Sequence, residues 1–191
     1  MSMKKKMRIL GIDPGSNFMG YAIVISDGQS HEVIDLGVGS FQKLDSHLEK
    51  IKGITKFADK LIEEFKPDVL AIEEPFYGKN VQSMLKLGRA QGAVIACALR
   101  LDIPVFEYTP RRVKQSVTGK GGASKEQVAA MVSAITGIPN DGKSFDATDA
   151  VAIALCHVLS KDSDSSAPKK KSKPKGNWDQ FLKDNPDRVD N

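Results

Sequence analysis

The order of apolar segments predicts an α/β protein. Its core is one mixed five-stranded sheet, an antiparallel meander extended by parallel strands, with helices on both faces. Three apolar runs lie close together between residues 7 and 41, separated only by turn chemistry, which is the signature of a meander. Beyond them, long stretches of helical period alternate with short β-rich runs, the pattern of strands joined through crossover helices. The chain has 191 residues and is 40% hydrophobic, enough for one domain with a sizeable core plus a tail.

Residues 7–12 form a buried strand by composition, followed by Asp13-Pro14-Gly15-Ser16. In that turn proline presets φ and glycine accepts a positive one. Residues 20–26 and 32–41 are the second and third strands, with a turn at Asp27-Gly28. Over 45–65, Leu48, Ile51, Ile54, Phe57, Ala58, Leu61, Ile62 and Phe65 fall on one helical face, and Pro67 ends the helix. Residues 69–72 make a short strand that stops at Glu73-Glu74-Pro75.

A second helix spans 80–101. Gly88, Ala90, Gly92, Ala93 and Ala96 leave part of it smooth. Glycine weakens a helix, so the spacing predicts close approach of another helix there. Residues 104–108 are the fifth strand, and Thr109-Pro110 opens a short basic helix. The helix over 124–135 begins Ser-Lys-Glu-Gln, a capping-box pattern. The last helix covers 145–160. From Lys161 the chain turns to Lys, Ser, Pro and Asp, which cannot supply a core. The expected organisation is therefore a domain over 1–160 and a disordered tail over 161–191, with no internal repeat.

A net charge of +4 is too small to demand nucleic acid by itself, so the placement of charge decides. Cys97 and Cys156 sit in apolar helical stretches and read as buried free thiols in a reducing compartment. The basic start MSMKKK leads into a broken strand rather than a signal peptide, and no run is long enough to span a membrane. The expected location is the cytoplasm.

Four acids stand at joints of this layout. Asp13 and Glu73 follow buried strands, where sheet sites form at carboxyl ends. Asp146 and Asp149, spaced i,i+3, begin an apolar helix on one face, where like charges repel. Each has an ordinary explanation taken alone: a turn aspartate, a strand-end acid, a helix-capping acid. Together they point to a shared cation, and Mg2+ or Mn2+ is the cation for bare carboxylates. Two such ions can clamp the attacking and leaving oxygens of a phosphodiester, so the first expectation is a metal-dependent nuclease.

The residues Gly11-Ile-Asp-Pro-Gly-Ser16, Ala71-Ile-Glu-Glu74, Leu85-Lys-Leu-Gly88, Pro104-Val-Phe-Glu-Tyr108, Val113-Lys-Gln115 and Asp146-Ala-Thr-Asp-Ala150 occur in this order. As a set they resemble the RuvC family of Holliday junction resolvases, from about residue 7 to residue 159. The resemblance implies an RNase H-like fold, a homodimer, and Mg2+-dependent paired nicks across a four-way DNA junction, with the RuvA–RuvB branch-migration complex as partner. It makes Asp13, Glu73, Asp146 and Asp149 the metal-binding acids. It matches Phe76 to an aromatic that stacks on opened bases, and Lys114 and Lys125 to basic residues near the scissile phosphate. Pro75 lies where the family does not always have proline.

Other DNA contacts are read from the residues themselves. Phe76-Tyr77-Gly78-Lys79-Asn80 mixes aromatics with Lys and Asn, a suitable wedge for unstacked bases. Arg111, Arg112 and Lys114 form a basic patch. Lys120 sits in Gly119-Lys120-Gly121-Gly122, a DNA-contacting loop or a plain linker, without a P-loop ending. The smooth helix over 87–98 is the candidate dimer interface, since a junction offers two equivalent strands to a two-fold axis. His31, His47 and His157 have no metal spacing. In the tail, lysines 169–171, 173 and 175 precede Trp178, Phe181 and Leu182, compatible with a solubilising end, a DNA tether or one docking turn.

Three other readings compete, one of them a junction-binding protein without catalysis, which would be expected to lose one of the acids, whereas all four are present. An actin-like-fold ATPase or kinase needs a second Asp-x-Gly hairpin and a Gly-Gly adenosine loop, and the later acids here take other forms. An RNase H-like nuclease acting on RNA would use the same four acids.

Overall fold

A computed structural model describes residues 6–75, 80–139 and 145–163. The elements are β1 (Met7–Asp13), β2 (Phe18–Ser26), β3 (His31–Ser40), α1 (His47–Phe65), β4 (Val69–Glu73), α2 (Val81–Leu99), β5 (Val105–Tyr108), α3 (Pro110–Thr118), α4 (Lys125–Thr136) and α5 (Phe145–Ser163). The sheet order is β3-β2-β1-β4-β5. β1 pairs antiparallel with β2, and β2 with β3, while β4 runs parallel to β1 and β5 parallel to β4. This is the mixed five-stranded sheet expected, in the RNase H-like arrangement.

Strand alternation divides the core in two. Leu10 and Ile12 of β1, with Leu70 and Ile72 of β4, pack against Ile54, Ala58, Leu61 and Ile62 of α1 and Val94 of α2. Ile9 of β1 and Val69 and Ala71 of β4 face the other way, onto α5. α5 is buried on every side from Ala150 to Val158, so it must be covered twice. The sheet covers one flank, and Val113 and Val117 of α3 with Val128 and Val132 of α4 join the cluster from the other. Glycine makes the first contact possible: a Cβ on Gly11 would run into the carbonyl oxygen of Ala150 and lie 2.9 Å from the Ala154 Cβ.

Helix boundaries follow side-chain chemistry. Ser46 caps α1 by accepting from the Glu49 amide, and Lys66 closes it in a left-handed conformation (φ 47°) just before Pro67. Ser124 and Gln127 form the reciprocal capping box expected for α4. The first hairpin is tighter than its composition indicated, since ladder pairing carries β1 through Asp13 and begins β2 at Phe18.

Two expectations are corrected. Leu48 is not on the buried stripe of α1 but 78% exposed, because it lies in the first turn, ahead of the region that reaches the sheet. Among the described residues no helix approaches Gly88 or Gly92: a Cβ at either would meet nothing within 4 Å. α2 instead buries Ala90, Gln91, Val94, Cys97 and Ala98. Both cysteines are free and buried. Among the described residues no helix is long and apolar enough to cross a membrane.

Candidate active site

β1 and β4 are parallel neighbours paired through Ile12 and Ile72, so Asp13 and Glu73 stand side by side where both strands end. Gly11 and Ala71 face α5, and alternation turns the residues two further on to the same face. α5 starts there. Carboxylate oxygens of Asp13, Asp146 and Asp149 lie within 4.8 Å of one another. Glu73 joins them across a pocket of about 240 Å3 shared with Asp13, Asp149, Lys114 and Lys125 and walled by Val113 and Val128. Gly20, paired with Asp13, lets α5 come this close, since a Cβ there would strike the carbonyl oxygen of Asp146.

The acids are poorly neutralised. Burial first, then Glu73, Asp149 and Asp146, push the Asp13 carboxyl up to about 8. Burial, then Asp149, raises Glu73 to about 7, against the smaller opposing pull of Lys125 and Lys114. The Lys125 ammonium donates to Asp149 at 3.1 Å. Burial lowers the pKa of Lys125, but Asp149, Asp13 and Asp146 outweigh it and the net shift is upward. Two lysines cannot balance four carboxylates. An all-oxygen donor set with this repulsion fits a hard divalent cation, whose charge would reverse both upward shifts.

The shifts fix a stability trend. Asp13 and Glu73 hold their protons more tightly folded than unfolded, so their contribution is fully present below about pH 4 and is lost as pH rises towards about 8. Metal-free protein should therefore lose thermal stability across that window more steeply than Asp13→Asn, as followed by calorimetry in chelator.

The remaining expected contacts separate. Lys114 and Lys125 are in the pocket. Arg111 and Arg112 are exposed on α3, with the Arg112 guanidinium 5.5 Å from the centre of the Tyr108 ring. Lys120 is exposed in the α3–α4 loop. The Asn80 side chain caps α2, accepting from the Ser83 amide. Phe76, Tyr77 and Lys79 lie outside the described residues.

Sequence reasoning missed Gln91. Its buried amide donates to Glu107 Oε1 at 2.7 Å and to the Glu73 carbonyl at 3.3 Å, tying α2 to the strand end that presents Glu73. One glutamine between Ala90 and Gly92 was the only signal. His157, given no role, is buried and bonds the Tyr108 hydroxyl at 2.7 Å, joining β5 to α5.

The family model described as crossover junction endodeoxyribonuclease RuvC matches residues 9–157. A protein of that name from Cytophaga hutchinsonii is 49% identical over 95% of this chain and 87% of its own length. Another from Porphyromonas gingivalis is 46% identical over 99% of this chain and 100% of its own. Among solved structures, Thermus thermophilus RuvC in complex with a Holliday junction substrate superposes with a TM-score of 0.77 at 31% identity, covering 83% of this chain and 97% of that one.

Proposed function

The chain belongs to the RuvC family of crossover junction endodeoxyribonucleases, and from that premise we propose that it resolves four-way DNA junctions in recombination and repair by paired, symmetric, metal-dependent nicks. The observation that carries the chemistry is the meeting of Asp13, Asp146 and Asp149 within 4.8 Å, with Glu73 in the same pocket. These four acids would hold Mg2+, two ions per site, with Mn2+ able to substitute. When bound, such ions supply an activated water and stabilise the leaving oxygen. Products with 5′-phosphate and 3′-hydroxyl ends are expected.

The chain's own residues do the rest. Lys125 and Lys114 sit opposite the acids and offset charge growing on the phosphoryl oxygens. Val113 and Val128 close the pocket wall against water. Arg111, Arg112 and Lys120 meet backbone phosphates, and Phe76, Tyr77, Lys79 and Asn80 engage the opened bases. Lys125→Met should lower the single-turnover rate about 10²- to 10³-fold while junction affinity changes far less. Its exposed ion pair with Asp149 contributes at most about 1 kcal/mol to stability, so the folded fraction should hold.

A homodimer places two such sites on a junction's two equivalent strands. Val81, Leu85 and Leu99 are exposed on α2, and Gly88 and Gly92 have open space before them, one continuous stripe for a second copy. Gly92→Ala should stabilise the monomer by about 0.5–1 kcal/mol yet weaken self-association, measured by sedimentation. Family membership also supports a cytoplasmic enzyme working beside RuvA–RuvB.

The deciding experiment offers end-labelled four-way junction, duplex and RNA–DNA hybrid with and without Mg2+. Paired nicks in the junction alone are expected. Cutting confined to the hybrid would overturn the reading in favour of an RNA-directed nuclease.

A further inference from the structure

We propose that a second polar pocket, on the sheet face opposite the acids, binds a backbone phosphate of the DNA strand being cut. The inference rests on the junction-cleaving reading and extends it to a part of the surface with no role so far. The pocket has a volume of about 350 Å3. Ser16 and Asn17 enter it from the β1–β2 turn, Ser46, His47 and Lys50 from the start of α1, and Ser83 and Lys86 from the start of α2.

Its charge is one-sided. Lys50 donates to Asn17 Oδ1 at 2.6 Å, an interaction with no counter-charge. Lys86, and Arg89 one turn further along α2, make no ion pair among the described residues. Asp45 is the single acid on the wall. His47 reports the crowding: burial first, then Arg89, Lys86 and Lys50, disfavour its protonation, and neither ring nitrogen has a hydrogen-bond partner among the described residues. Ser46 is the N-cap of α1 and Ser83 lies in the first turn of α2, so two helix N-termini add positive potential at the same place. Three hydroxyls and two ammonium groups, offset by one carboxylate, leave a net positive field that matches a phosphodiester.

Position selects DNA over a free anion. Ser16 follows Asp13 by three residues, a reach of at most about 10 Å along extended chain. A DNA strand carries a phosphate every ~3.4 Å of helix axis. With its scissile phosphate at Asp13, the strand would cross the β1–β2 turn and set a phosphate about three nucleotides away into this pocket.

The test uses full-length protein and a four-way junction, with affinity measured in metal-free buffer and cleavage measured with Mg2+ added. Lys50→Gln/Lys86→Gln should reduce the slope of log affinity against log salt by about 1, since the one lost phosphate contact removes roughly 0.9. KM should rise while the single-turnover rate stays within about twofold. Lys86→Gln alone, which leaves the Lys50–Asn17 bond intact, should give about half the slope change. Lys56→Gln/Lys60→Gln removes the same charge further along α1 and should keep the wild-type slope. An unchanged slope in the pocket variants, or an equal fall in the control, overturns the subsite while wild-type cleavage preserves the functional reading. Inorganic phosphate that shifts the His47 ring resonances where junction does not would assign the pocket to a free anion. A wild type that neither binds nor cuts the junction overturns the reading and the subsite together.

Discussion

Asp13→Asn should reduce junction cleavage by about 10³-fold or more and leave junction binding intact. A bound metal supplies several kcal/mol of transition-state stabilisation, and each 1.36 kcal/mol is tenfold in rate. Asp13 is the acid that Glu73, Asp149 and Asp146 all bear upon, so its loss disturbs every contact in the cluster. The same change relieves a partly buried carboxylate repelled by three neighbours. Metal-free Asp13→Asn should therefore melt no lower than wild type at pH 8. Parallel cleavage assays, junction titrations and melting curves check all three outcomes. A folded variant that no longer binds the junction would reassign Asp13 to docking or structure.

Gly11→Ala should be severely damaging for a single added methyl. Its Cβ would collide with the Ala150 carbonyl, which is backbone in a helix buried all round and cannot swing away as a side-chain tip can. Overpacking costs typically 1–3 kcal/mol and more where backbone must shift. We expect about 3 kcal/mol, or roughly 10 °C in melting temperature for a chain of this size. Any relief comes from lifting α5 off β1, which carries Asp146 and Asp149 away from Asp13. Cleavage should fall further than the unfolded fraction explains, measured on the soluble protein at low temperature.

The fold was legible where local chemistry and burial agreed. The chain reversal after Asp13, the Glu73-Glu74-Pro75 strand end and the capping box at Ser124 are each written in a few adjacent residues, although Gly15 does not take the positive φ expected of it. The acids could be foreseen as a group because α/β sheets gather strand ends, and because two aspartates at the head of an apolar helix have no ordinary partner. Strand limits shifted because ladder hydrogen bonds extend pairing through Asp13 and Phe18 whatever their side chains. The stripe on α2 showed that something should approach, but a pattern of small residues does not distinguish a neighbour in the same chain from a second copy. Gln91, and the meeting of Lys50 with Lys86, were not legible at all. Gln91 depends on how α2 sits against β4 and β5, and the two lysines on how α1 and α2 pack, relations that no short stretch of sequence carries.

α5 carries two of the four acids and is also the element most enclosed by the rest of the molecule. Its amides should be among the slowest to exchange with deuterated solvent, since they open only when the whole domain does. Heat therefore has no local route to scatter these acids while the rest of the fold stands. On heating, activity and native structure should disappear at the same temperature, and cooling that restores one should restore the other.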